Sequence, residues 1–409
     1  MAFSWFPGWA HGEIQGGSMQ KLMLRLHRWV GRVVLIYFGF VFLTGTFLVF
    51  APELEAVIAP QMRAAGTRAP ASFGQLFDSA VSEFPKARPV TVKRPGSDVL
   101  AAQVIMRKKG RAFVVWLDLA TAGVQGTSSD LGLYGVVRRL HKNLMIDNNY
   151  GKILVTIFSL PLLWQLVSGL MAYRRFWRGW FRWPNRAQPG RAWWGTFHRL
   201  AALWVLPILT VSALTGFLFF AGAFGLSSGI PKPQAAVERG AIIPNDLNGT
   251  KLDALITVAQ EQLPDLEISE VQLPANNVSG ITITGQMTAR LVRDEANFVT
   301  IDPSNSNILG VHRGEDMTVS SRIIEMAKPL HFGVWAGSFS RVLLLIGGAL
   351  AVLLVISALK IVAWSAAGTT SDRIRGGFLT GWRALWWPIR LMSSATILAG
   401  LALAAKALI

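Results

Sequence analysis

The chain contains no cysteine. That excludes disulfides, Cys-ligated iron–sulfur clusters, thiolate zinc sites and covalently attached c-type haem. It is also poor in charge. Only 15% of its 409 residues are Asp, Glu, Lys or Arg, against roughly 25% in soluble domains. Acids are the scarcer sign, 23 against 40 bases, for a net charge of +17. Histidine is rarer still, with six residues. No phosphate loop, no GxGxxG after a strand and no HExxH motif is found, so a nicotinamide, flavin or zinc-protease site is not evident.

What the chain has instead is long apolar runs, with hydrophobic residues making up 52%. Residues 33–51 carry no charge over 19 residues, 153–173 over 21, 200–224 over 25 and 342–359 over 18. About 20 apolar residues suffice to cross a hydrocarbon core about 30 Å thick, so these read as four membrane spans. Residues 391–405, 15 long, read as a fifth, with a re-entrant or interfacial helix as the alternative. Basic residues precede the first run, as in a signal peptide. That run is longer than a signal peptide's apolar stretch of about 7–15 residues, however.

The positive charge is not spread as a nucleic-acid surface would need. Lys21, Arg25, Arg28 and Arg32 precede the first span. Seven arginines and no acid lie between the second and third: Arg174, Arg175, Arg178, Arg182, Arg186, Arg191 and Arg199. Lys360, Arg373, Arg375, Arg383 and Arg390 follow the fourth. These short segments fall on one side, which the positive-inside rule makes cytoplasmic. Trp177, Trp180, Trp183, Trp193 and Trp194 crowd the second one and read as an interfacial aromatic belt. The expected partner is the bilayer, with no nucleic acid.

Four of the six histidines repeat in pattern. His27 and His198 open the first and third spans, 171 residues apart; His141 and His331 precede the second and fourth, 190 apart. Imidazole is costly at a membrane boundary without a partner, and it is a common metal ligand. The pattern suggests two bis-histidine sites, His27 with His198 and His141 with His331, and haem is the leading candidate for each. With no cysteine the haem is b-type and non-covalent, two per chain. Arg28 and Arg199 follow their histidines, and Arg138 and Arg139 precede His141, so these arginines are candidate partners for haem propionates. For Arg28 and Arg199, ordinary positive-inside flanking is the other reading. Sites at opposite edges of a core about 30 Å thick need an intermediary or a deeper position; Trp164 and Trp204 are candidates, with plain packing the alternative. His11 reads as exposed and cytoplasmic, and His312 as a surface turn.

The surrounding sequence repeats as well. Leu26-His27-Arg28 matches Phe197-His198-Arg199, Leu43-Thr44-Gly45 matches Leu214-Thr215-Gly216, and Leu140-His141 matches Leu330-His331. Two spans per unit give two parallel repeats about an axis along the membrane normal. The expected fold is an α-helical membrane protein: two parallel repeats of a transmembrane hairpin, four core helices and a fifth, each repeat with a small α+β extracytoplasmic insert. In order these are the cytoplasmic N-terminus 1–32, span 33–51, periplasmic insert 52–140, outer His segment and span 141–173, and basic cytoplasmic loop 174–199. Then come span 200–224, second insert 225–330, outer His segment and span 331–359, cytoplasmic loop 360–390 and span 391–409. Each insert reads as one helix, 72–84 or 251–262, on its own small sheet. The strand-like runs are 89–92, 100–106 and 112–117 in the first insert, and 268–273, 281–284, 289–292 and 298–301 in the second. The first insert carries 12 bases and 7 acids, the second 8 and 13.

The two His-led hairpins, the segment Leu330-His331-Phe332-Gly333 with Gly337, the looser Leu140-His141-Lys142-Asn143-Leu144 and the α/β inserts together resemble the PepSY-associated transmembrane family of bacterial inner-membrane proteins. Some members of that family are similar to haem-containing reductases of ferric siderophores. The resemblance implies an inner-membrane ferric-siderophore reductase that takes electrons from a cytoplasmic donor or a quinol and releases iron at the periplasmic face. Two other readings stand beside it. One is a haem-free accessory protein whose inserts bind a peptide or protease. The other is a siderophore or metal permease, against which the spans carry no internal acid of the kind coupled transporters use.

Overall fold

The computed structural model describes residues 17–64, 70–129, 131–173, 175–187, 190–231, 246–274, 280–366, 382, 385 and 387–408. Among the described residues, four helical stretches are long and apolar enough to cross a membrane: Met19–Leu48, Asn149–Ala172, Arg191–Gly222 and Gly337–Ser365. They belong to α1 (Gly17–Leu48), the pair α5 (Asn149–Thr156) and α6 (Ser159–Ala172), α7 (Arg191–Gly222) and α11 (Gly337–Ala366). The last helix, α12 (Trp387–Leu408), has a shorter apolar stretch, Ser393–Ala405. His11, Arg174, Arg373, Arg375 and Arg383 lie outside the described residues.

The chain forms two units. The first comprises residues 1–42, 157–213 and 347–396. Its core is a helix bundle. Val34 and Phe38 of α1 pack with Leu162 of α6 and Ala213 of α7, and Val205 and Leu209 of α7 pack with Ala351 of α11. Small residues let the backbones approach, as membrane helices require where apolar burial gives no preference for protein over lipid. A Cβ on Gly39 would sit 3.3 Å from Val355, and one on Gly347 would overlap Ile208.

The second unit comprises residues 43–156, 214–346 and 397–409, and it contains the sheet. The strands are β1 (Arg88–Lys93), β2 (Ala102–Lys108), β3 (Arg111–Leu117), β4 (Val124–Ser129), β5 (Glu267–Gln272), β6 (Ile281–Gln286), β7 (Phe298–Ile301) and β8 (Ile308–His312). They form one eight-stranded sheet in the order β4-β3-β2-β1-β5-β6-β7-β8. The expectation of a separate small sheet in each insert is corrected here. β1 and β5 pair antiparallel through Thr91↔Gln272, Val92↔Val271 and Lys93↔Glu270, and Lys93 adds a 3.3 Å salt bridge to Glu270. Alternation shows which face of a strand is buried, but it does not name the neighbour of an edge strand. Residues 289–292, expected as a strand, form a turn in which Leu291 takes φ 61°. β4 and β8 lack a strong alternating pattern and are additions to the expected set.

Val104 and Val115 of the first insert and Ile283 and Val299 of the second face one core, with α3 (Phe73–Glu83) and α8 (Gly249–Gln262) packed on it. Ser72 caps α3 through a capping box with Gln75, and Asn248 caps α8. The two N-termini also satisfy each other. The Gly74 amide donates to Asp253 Oδ1 at 2.8 Å, and the Gly249 amide donates to Asp78 Oδ1 at 2.7 Å. Each helix thus supplies the carboxylate that answers an orphan N–H of the other. The contact requires glycine on both sides, because a Cβ on either would overlap the other's backbone.

Candidate functional site: two histidine pairs

His27 on α1 points its Nδ1 at Ser168 Oγ of α6, 3.1 Å away. His198 on α7 does the same with Ser357 Oγ of α11, at 2.8 Å. Each serine hydroxyl donates its own proton to a backbone carbonyl one turn earlier, Ser168 to Trp164 and Ser357 to Leu354, both at 2.6 Å. A hydroxyl has one proton, so each serine must accept from the imidazole. The network therefore assigns the Nδ1–H tautomer and leaves the lone pair on Nε2. Gln165 fixes the α1 backbone by donating from Nε2 to the His27 carbonyl at 3.0 Å. Gly169 leaves room for the His27 ring, since a Cβ there would stand 3.2 Å from its Cε1.

The other pair lies in the second unit. His141 sits in the last turn of α4 (Gly132–Asn143), which Leu144 ends in the left-handed conformation. His331 sits in α10 (Ala327–Phe332), which Gly333 ends in the same way. These reversals answer a difficulty of the sequence, where both histidines stand 11 or 12 residues ahead of their apolar runs: the chain bends back. His141 Nδ1 meets Thr44 Oγ1 of α1 at 3.0 Å, and His331 Nδ1 meets Thr215 Oγ1 of α7 at 2.9 Å. The two rings lie 6.3 Å apart, centroid to centroid. A Cβ on Gly45 would come within 2.9 Å of His141 Cε1, so the glycine after Thr44 gives that ring its place. Phe219 and Phe332 pack edge-on against His331 at 5.2 and 6.0 Å. Burial first, and the charge of His141 second, push His331 down to about 3, so it is neutral, the form that binds metals.

Among the described residues no three His, Cys, Asp or Glu side chains gather as a metal site. What is present is pairs, and a pair suits a metal whose other ligands come from a macrocycle. Two imidazoles bound to opposite sides of one metal at about 2.0–2.1 Å stand with ring centroids roughly 6 Å apart. The 6.3 Å spacing of His141 and His331 matches that distance, and in both rings the hydroxyl contact is made by Nδ1 rather than Nε2.

The arginines stand differently from the histidines beside them. Arg28, Arg138 and Arg199 are exposed. Arg199 donates to Thr196 at 3.1 Å and lies over the Tyr173 ring, and Arg139 pairs with Asp147 at 3.2 Å. Neighbours in a helix point about 100° apart, so sequence adjacency does not place an arginine on its histidine's face. Trp204 donates to the Trp180 carbonyl at 2.7 Å and packs edge-on against Trp183, in the tryptophan-rich loop. Trp164 keeps its indole N–H buried with no acceptor among the described residues. His312, expected in a surface turn, lies in β8; it stacks on Phe298 and its Nδ1 meets the Ala296 carbonyl at 2.6 Å.

The residues that sequence reasoning passes over are the four hydroxyls. Thr44 and Thr215 are visible within the repeated Leu-Thr-Gly motif. Ser168 and Ser357 sit in a second one, Val167-Ser168-Gly169-Leu170 against Ile356-Ser357-Ala358-Leu359, inside runs where a lone serine attracts no notice.

No curated protein matches the chain. The family described as the PepSY-associated TM region matches residues 24–365, a span that takes in all four histidines, all four hydroxyls and the whole sheet. This chain belongs to the PepSY-associated transmembrane family.

Proposed function

We propose that the chain is a di-haem b-type oxidoreductase of the bacterial inner membrane that reduces ferric iron, presented as a ferric siderophore, at the periplasmic face. The observation that carries this reading is the recurrence of one device at four places: an imidazole whose Nδ1 is held by a hydroxyl from a neighbouring helix. Such outer-sphere bonds orient metal-ligating histidines, and a structural histidine has no need of them in matched pairs. His27 and His198 would hold one haem, and His141 and His331 the other. A haem so held supplies one-electron chemistry. The chain's own residues do the rest. The serines fix the tautomers of His27 and His198, the threonines anchor the rings of His141 and His331 at Nδ1, Gly45 and Gly169 make room for the rings, and the apolar helices exclude water. Each ferric ion takes one electron, which comes from a cytoplasmic reductant or a membrane quinol. Ferrous iron binds hard oxygen ligands less tightly, so reduction releases it for uptake.

We read the chain as two parallel repeats. The supports are the matched hydroxyl anchors, the strand order running outward from the β1–β5 seam in both halves, and the exchanged caps of α3 and α8. We take the basic segments to face the cytoplasm, with the N-terminus on that side and the sheet in the periplasm.

The test is an absorption spectrum of the detergent-purified protein with haem quantified per chain, reduced by dithionite without oxygen and then mixed with a ferric siderophore. A b-type spectrum near two haems per chain, reoxidised by the siderophore, is the expected result. Haem that is not reoxidised removes the acceptor. A colourless folded protein removes the reductase reading and puts the peptide-binding accessory reading in its place.

A further inference from the structure

The two halves of the sheet treat their second face differently. In the first half that face carries Val114 and Trp116, which are covered by Ala56 of α2 (Ala51–Ile58) and by Met62. In the second half it carries Thr282 and Thr284, both buried, and among the described residues no such plug covers them. They line a cavity of about 450 Å³, within the range of small-ligand sites. Its other walls come from the end of α7, the residues after it, and α9 (Val319–Glu325) and α10.

Charge identifies the class of occupant. Three cations line the cavity: Lys152, Arg293 and Lys328. Arg293 is already engaged, forming hydrogen bonds to both carboxylate oxygens of the buried Glu325 and a 3.5 Å contact to Glu295. Lys152 and Lys328 are half-buried, and among the described residues neither is within salt-bridge distance of a carboxylate. Burial, and next the charge of Arg293, press the Lys328 amine downward against the opposing pull of Glu325 and Glu295, and the three cations outnumber the two carboxylates of the lining by one. Buried charge without a partner is costly. Two lysines in a recess floored by threonine hydroxyls therefore call for an anion with several oxygens. Phe219 lines the same cavity and packs on His331, so an occupant would sit one ring away from the histidine pair.

We propose that this cavity binds a small organic polycarboxylate, free or carrying a trivalent metal ion, between Lys152 and Lys328. The Thr282 hydroxyl, which can accept from Thr300 Oγ1 3.1 Å away, serves as a hydrogen-bond donor to an oxygen the lysines do not reach. The inference concerns binding alone and stands whether or not the histidines carry haem. A lipid phosphate shares the anionic oxygen chemistry, and the experiment separates the two sources.

The full chain would be placed in phosphatidylcholine nanodiscs and titrated calorimetrically with citrate and with its redox-inert gallium(III) complex. Saturable binding of at least one is expected, weakened tenfold or more in Lys152→Met and in Lys328→Met. It should be unchanged in Lys86→Met, which removes an exposed lysine elsewhere. A Thr282→Val variant should weaken binding, whereas Thr282→Ser, which keeps the hydroxyl, should bind within threefold of the parent. Repeating the titration in phosphatidylglycerol nanodiscs should leave the affinity within threefold. Absence of binding by both probes, or binding indifferent to both lysines, overturns the proposal. Binding that phosphatidylglycerol abolishes also overturns it, because the natural occupant would then be a lipid headgroup.

Discussion

Replacing Ser168 by alanine tests the central feature of the site. The hydroxyl now accepts from His27 Nδ1 at 3.1 Å while donating to the Trp164 carbonyl. Alanine removes the acceptor and adds no bulk. A buried N–H left without a partner costs about 1–3 kcal/mol, and the imidazole recovers that only by turning away from its position. At about 1.4 kcal/mol per factor of ten, haem retention at the His27/His198 site should weaken by about 5- to 150-fold, which brackets the 10–100-fold typical of outer-sphere changes. The assay is the rate of haem transfer to excess apomyoglobin, followed in the Soret band. Ser168→Thr keeps a hydroxyl and should stay near the parent rate. Ser365→Ala is the control, because that serine also bonds a carbonyl one turn earlier, at 2.7 Å. If Ser168→Ala and Ser365→Ala lose haem at the same rate, the hydroxyl does not hold the ligand and the argument from tautomers fails.

Three further outcomes follow from other parts of the molecule. Gly45→Ala puts a methyl 2.9 Å from His141 Cε1 and should halve the haem bound per chain while sparing the His27/His198 site; retention of both haems by quantitation would contradict it. Gly74→Ala drives a Cβ into the Gly249 backbone, a clash with main chain that should destabilise the sheet domain by about 3 kcal/mol, read as faster limited proteolysis of the sheet than in Gly96→Ala, where the space is open. Glu53 is paired with Arg341 at 2.6 Å, and although burial pushes its carboxyl upward, the Arg341 hydrogen bond and charge win and hold it below its usual value of 4.5. Its folded-state pKa is depressed, so the stability it lends is present above that value and is lost as pH falls through the folded pKa. Glu53→Gln should remove that acid-side slope in melting curves taken below about pH 5, and an unchanged slope would show the pair to be neutral in effect.

The spans are legible because a charge-free apolar run of about 20 residues matches the thickness of the hydrocarbon core, and α1, α5–α6, α7 and α11 lie over the expected ones. The pairing of the histidines is legible because six are few and four recur. The Nδ1 partners are not, because Ser168 and Ser357 are met only when α6 lies beside α1 and α11 beside α7. The direction of the arginines next to the histidines is illegible for a related reason, since a one-residue step in a helix turns a side chain by about 100°. The single sheet is illegible because β1 and β5 each look like the first strand of a self-contained insert. The lysines of the cavity are similarly scattered, Lys152 in α5 and Lys328 in α10, and only the fold brings them to one recess.

The β1–β5 seam sets a timetable for biogenesis. Gln272 lies 181 residues (272 − 91) after its partner Thr91. At about 5–20 residues per second of synthesis, β1 waits on the order of 10–40 s for the strand that will cover it. Throughout that interval the first insert presents an open edge of the kind that recruits foreign strands. The sheet can close only after two more helices have been threaded through the bilayer and the second insert has followed. A nascent chain arrested before residue 267 should therefore be the form that chaperones hold.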